Sequence, residues 1–302
     1  MIDLGIDLCG VKLKNPVMVC SGTFGSGAEY SEFVDLNRLG AVVTKGVAVT
    51  PWTGNPAPRI AETPSGMLNA IGLQNPGIDV FEERDLPYLA QFDTRVIVNV
   101  CGHSEEEYIA CVKRLSENDT VDMLEINISC PNVREGGIAF GTDPKAVFAI
   151  TNAIKKVSAK PVIMKLSPNV TDIAEIARAA EAGGADAISL INTITGMKID
   201  VERQCFALAN RTGGLSGPAI RPVAVRMVYQ AAHAVSVPVI GMGGITCASD
   251  ALEFILAGAS AVSIGTANFH NPCTAAEVVD GIADYMERHH TDHVQSLVGA
   301  VK

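Results

Sequence analysis

The chain has 302 residues, 48% hydrophobic and 19% charged, so it can form a sizeable core, and the composition is the opposite of a disordered one. Its formal net charge is −10 with no basic block, which argues against nucleic acid as a partner. Eight cysteines, at 9, 20, 101, 111, 130, 205, 247 and 273, include no two that stand three apart. That spacing disfavours zinc and iron–sulfur sites and reads as reduced thiols of a cytoplasmic protein.

The N-terminus, MIDLGIDLCGVKLKNP, carries Asp3 and Asp7 and lacks a long apolar run, so neither a signal peptide nor a membrane anchor is expected. Eight short apolar runs then follow in order: PVMVC (16–20), AVVTK (41–45), RVIVNV (95–100), MLEINI (123–128), PVIMKL (161–166), AISLIN (187–192), PVIGM (238–242) and AVSIG (261–265). Runs this uniformly apolar suit strands buried on both faces, as in parallel sheets. Helical patterns lie between most of them. In DIAEIARAAEAGG, Ile173, Ile176, Ala177 and Ala180 share a face, Asp172 and Glu175 have the spacing of a capping box, and Gly183 is the expected stop. DALEFILAGA repeats the scheme at 250–259.

There is an internal echo as well. PVIMK and PVIGM are each followed by a helix ending in Ala-Gly and then by ISL or VSI. Eight such strand–helix units predict an α/β fold, a (β/α)8 barrel occupying 1–302 as one domain. An open doubly wound sheet is the alternative. Two connections, about 47–79 after strand 2 and 193–217 after strand 6, are too long for turns and are expected to wall a binding site.

In a (β/α)8 barrel the active site lies at the C-terminal ends of the strands. The residues closing the runs are Ser21-Gly22, Lys45-Gly46, Asn99, Asn127 leading to Cys130, Lys165, Asn192-Thr193, Gly243-Gly244 and Gly265-Thr266. This set holds no His–carboxylate pair and no metal-ligand cluster. It holds two lysines, amides and hydroxyls suited to a flat heterocycle, a thiol, and glycine loops after strands 7 and 8, where such barrels bind phosphate. A planar cofactor bearing a phosphate fits, with Lys165 set to stabilise negative charge that develops on reduction. Lysines inside apolar strands point to function, because an unpaired buried ammonium is costly. Cys130 lies just outside its strand, held by Pro131, whereas the other seven cysteines, with Met67 and Met164, are assigned to packing.

The blocks NISCPN, GMLNAIGLQNPG, MKLSPNVTDI, INTITGM, GGLSGPAI, GMGGI and ASAVSIGTANF resemble the dihydroorotate dehydrogenases over nearly the whole length. The resemblance implies an FMN-containing barrel that oxidises dihydroorotate to orotate in pyrimidine synthesis. Cysteine at 130 resembles class 1 of that family, and the segments 54–77 and 191–202 resemble class 1B. That class passes electrons to NAD through a partner subunit carrying FAD and a 2Fe-2S cluster, in a heterotetramer with two copies of each chain. The resemblance further implies Cys130 as general base. It assigns Lys45, Asn69, Ala70, Ile71, Gly72, Leu73, Asn127, Asn132, Asn192 and Thr193 to substrate. It assigns Ser21, Lys45, Gly46, Asn99, Asn127, Lys165, Ile191, Gly217, Gly243, Gly244, Gly265 and Thr266 to FMN. The rivals are a fumarate-dependent class 1A enzyme and a dihydropyrimidine dehydrogenase-like barrel. A non-redox rival is a phosphate-binding aldolase or isomerase with Lys165 as Schiff-base nucleophile.

Overall fold

The structure is a computed structural model and describes residues 2–128, 134–135, 138–139 and 141–302. All eight apolar runs form strands: β1 Val17–Val19, β2 Ala41–Val43, β3 Arg95–Val100, β4 Met123–Asn127, β5 Val162–Lys165, β6 Ala187–Leu190, β7 Val239–Met242 and β8 Ala261–Ile264. They pair in parallel, in chain order, and close β8 onto β1. Every residue of these strands except Arg95 is buried. One side faces the barrel interior and the other the helices, which is why the runs carry so little polar alternation.

The helices form the outer ring. In the helix Ile173–Ala182, the buried residues are Ile173, Ile176, Ala177 and Ala180, and the Asp172 side chain accepts from the amides of Ala174 and Glu175. The expected stop shifts by one residue: Gly183 is still right-handed, at φ −71°, and Gly184 takes the left-handed turn, at φ +98°. The helix expected at 250–259 spans Ala248–Leu256. Below the barrel, strands Ile6–Leu8 and Val11–Leu13 form a hairpin whose Ile6, Leu8 and Leu13 join the core.

The two long connections do wall the cavity, and they do so as regular strands. Ile60–Thr63 and Gly66–Asn69 come from the first, and Ile194–Met197 and Thr212–Ser216 from the second. Together they make one antiparallel sheet at the mouth, with Gly214 opposite Asn69 and Ile194 opposite Leu215. Each loop supplies the other's hydrogen-bonding partner, a pairing that no local pattern announces. Among the described residues, no helix is long and apolar enough to cross a membrane.

Candidate active site

A cavity of about 500 Å³ opens at the C-terminal ends of the strands, under the mouth sheet. That volume is typical of a site for a small ligand or cofactor. Of the residues expected at the site, Ser21, Lys45, Asn69, Ala70, Ile71, Gly72, Leu73, Asn127, Lys165, Ile191, Asn192, Thr193, Gly217, Gly243, Gly244, Gly265 and Thr266 all line it. Gly46 and Asn99 stand behind the lining instead. Asn99 is fully buried, and a Cβ on Gly46 would sit 3.0 Å from its Oδ1. Cys130 and Asn132 lie outside the described residues.

Strand geometry sets the polar floor. Glu125 and Asn127 are two apart on β4, so both project to the same face of the sheet. Glu125 is 1% exposed, yet both its oxygens are engaged. Oε1 accepts from Asn99 Nδ2 at 2.6 Å and from Lys165 Nζ at 3.1 Å, and Oε2 accepts from Ser189 Oγ at 2.8 Å. The donors come from β3, β5 and β6, so only the parallel pairing of the neighbouring strands β3 to β6 assembles them. Sequence reasoning saw Lys165 but not its counter-ion. The signal was present, since a carboxylate inside an apolar strand needs a partner as much as an ammonium does. Burial pulls the Lys165 pKa down, but Glu125, aided by Cys20, outweighs it and leaves the ammonium above its ordinary value. A Schiff-base lysine needs the reverse shift, so the aldolase alternative loses its nucleophile.

Lys45 differs. It is half-buried at the cavity wall, and no carboxylate among the described residues pairs with it. Burial holds its pKa below the ordinary lysine value, with Arg59 pushing the same way. An ammonium so placed favours an incoming anion. Nearby, Asn192 donates from Nδ2 to Asn127 Oδ1 at 3.4 Å and accepts the Thr193 amide at 2.8 Å. Asn169, not anticipated from sequence, donates to the Thr193 carbonyl at 3.1 Å and also lines the cavity. On the opposite wall, Asn75 accepts the amides of Ala48 and Gly77 and donates to the Leu73 carbonyl, which braces the 70–73 segment.

The glycine loops converge at one corner. Gly217 and Gly244 are left-handed, at φ +99° and +77°. A Cβ on Gly217 would meet Gly66 Cα at 2.7 Å, and one on Gly244 would meet the Gly217 carbonyl at 2.6 Å. Only glycine allows this backbone contact, and such turns present N–H groups to anions. Asp250 secures the corner. It takes the Thr246 amide at 2.9 Å and hydroxyl at 2.6 Å, and pairs with Arg221. Thr266 Oγ1 donates to Ser216 Oγ at 2.8 Å across the same wall.

Residues 3–286 match the sequence profile described as dihydroorotate dehydrogenase. The chain belongs to the dihydroorotate dehydrogenase family. It is 64% identical, over the full length of both chains, to the "Dihydroorotate dehydrogenase B (NAD(+)), catalytic subunit" of Lachnoclostridium phytofermentans. It is 59% identical, over 99% of each chain, to the protein of the same name from Alkaliphilus metalliredigens. Its fold is shared with the crystal structure of DHODH in complex with ferulenol from Eimeria tenella, with a TM-score of 0.81, 22% identity, and coverage of 99% of this chain and 88% of that one.

For a dihydroorotate dehydrogenase the donor set suits FMN. The glycine corner offers amides to a phosphate, Lys165 offers positive charge to a ring that becomes anionic, and the buried Asn99 Oδ1 has no partner among the described residues. Cys20 and Met67, assigned to packing from sequence, line the cavity too. Burial keeps the Cys20 thiol above its ordinary pKa even with Lys165 beside it.

Proposed function

We propose that the chain is the catalytic subunit of an NAD-linked dihydroorotate dehydrogenase, a single barrel domain over 1–302 that oxidises dihydroorotate to orotate in pyrimidine synthesis. The observation that carries the proposal is the pairing of an anion-ready ammonium, Lys45, with a glycine-walled corner and a buried, ion-paired lysine in one cavity. The substrate is an anionic, amide-rich ring, and Lys45, Asn69, Asn127, Asn192 and Thr193 are its chemical complement. The 70–73 backbone and Asn132 complete the substrate set.

Oxidation removes a proton from C5 of dihydroorotate and a hydride from C6. Cys130 takes the proton as a thiolate, forming an S–H bond as the C5–H bond breaks. The Cys20 thiol is a poor rival, because burial keeps it protonated. FMN, when bound, supplies the hydride acceptor. Ser21, Lys45, Gly46, Asn99, Asn127, Lys165, Ile191, Gly217, Gly243, Gly244, Gly265 and Thr266 hold it, with Gly46 and Asn99 acting from behind the lining. The electrons leave through a partner subunit carrying FAD and a 2Fe-2S cluster, in a heterotetramer of two copies of each chain. The relatives' designation as a catalytic subunit supports such a partner.

The test is stopped-flow reduction of the bound flavin by dihydroorotate. The isolated chain should be yellow and should pass electrons to artificial dyes but not to NAD. Cys130→Ala should keep its flavin and lose most of the reduction rate, and Cys130→Ser should recover only at high pH, because a hydroxyl is a far weaker acid than a thiol. Near-normal reduction in the alanine variant would remove Cys130 from the mechanism.

A further inference from the structure

The buried carboxylate of Glu125 is not one of the groups that bind substrate or move its proton. Its position is nonetheless unusual. A carboxylate 1% exposed on a barrel strand is tolerated only with its charge and lone pairs satisfied, and here three strands each send one donor to it. Two of the donors, Asn99 and Lys165, are flavin-binding groups of the proposal above; Ser189 is not.

Asn99 spends its Nδ2 on Glu125, so the amide is turned with its oxygen the other way. That oxygen is buried and has no partner among the described residues. Gly46 leaves room beside it. Lys165, meanwhile, lines the cavity while its ammonium stays tethered to Oε1. The lysine's charge is therefore not offered in full to the ligand; it is offset by a carboxylate one hydrogen bond away.

We propose that Glu125 is a positioning residue for the flavin: it orients the Asn99 amide and holds the Lys165 ammonium, and its own charge moderates how strongly the site favours reduced over oxidised flavin. This rests on FMN occupying the cavity. Reduction adds negative charge to the ring, which Lys165 favours and Glu125 opposes. Removing the Glu125 charge while keeping its shape shifts the balance toward the reduced form.

The experiment is a dye-equilibrated reductive titration of the flavin-loaded full chain at one pH, which reads the ratio of affinities for reduced and oxidised flavin. Glu125→Gln should raise that ratio about tenfold, a rise of about 30 mV in a two-electron couple. Glu125→Asp, which keeps the charge, should stay within about threefold of the parent. Should Glu125→Gln fail to fold, Ser189→Ala carries the test, because it leaves Oε2 without its donor and alters the charge environment without touching the flavin. It should lower the ratio about twofold to threefold, since a carboxylate stripped of a donor opposes the anion more strongly. An unchanged ratio, or a shift toward the oxidised form in Glu125→Gln, overturns the proposal. A parent protein that binds no FMN would instead sink the flavin assignment, so the two failures are distinguishable.

Discussion

The two ends of the barrel handle charge in opposite ways. At the bottom, Lys14 meets Asp93, Arg95 meets Asp122 and Lys155 meets Asp186, all partly open to solvent. These pairs close on themselves around a hairpin whose apolar side chains plug the barrel. At the mouth, Lys165 is paired but buried, and Lys45 has no carboxylate partner among the described residues. The bottom is built to be stable in water, whereas the mouth holds unspent electrostatic free energy that a ligand can release. Position in the fold, more than residue type, decides whether a lysine is structural or functional.

The contrast predicts four different outcomes for four substitutions. Lys165→Ala should be the most damaging, because it leaves Glu125 as a buried charge without its ammonium. A loss of about 3–5 kcal/mol is expected in denaturant unfolding, together with loss of bound flavin. Unchanged stability would mean that the pair is not what holds Glu125 in place. Leu8→Ala, in the fully buried plug, should cost about 3 kcal/mol through the cavity it leaves. Its flavin spectrum and dihydroorotate-driven reduction should match the parent; a spectral change would show that bottom and mouth are coupled.

Lys45→Met should do the reverse, cutting dihydroorotate affinity about tenfold or more while leaving the ligand-free protein at least as stable. The sign follows from its lowered pKa. Between that lowered value and 10.5, the unfolded chain binds more protons than the folded one, so Lys45 makes stability rise with pH there. The substitution should therefore help most below that lowered value, and its advantage should fade as pH climbs toward 10.5. Thermal melts across that range, without ligand, are the check. Lys155→Met, in a half-exposed pair at the bottom, should change stability by no more than about 1 kcal/mol and flavin properties not at all.

The barrel was legible in the sequence because its strands are buried on both faces and its helices on one. Apolar runs and a 3.6-residue stripe are consequences of local geometry, and each is complete within its own segment. The residues at the strand ends were legible for the same reason: once a run is a barrel strand, its C-terminal end is a mouth position. By itself, then, the sequence determined the eight strands, their order around the barrel and a large share of the residues that line the cavity, chiefly those at the strand ends. It did not determine which side chains meet. That Glu125 takes donors from Asn99, Lys165 and Ser189 depends on the register of four strands. That residues 67–69 pair with 214–216 depends on two loops meeting across the mouth. Those contacts join residues 26 to 64 apart around Glu125 and 145 to 149 apart in the mouth sheet. Strand pairing in the barrel supplies the proximity, and without it a buried glutamate in an apolar run is only an anomaly.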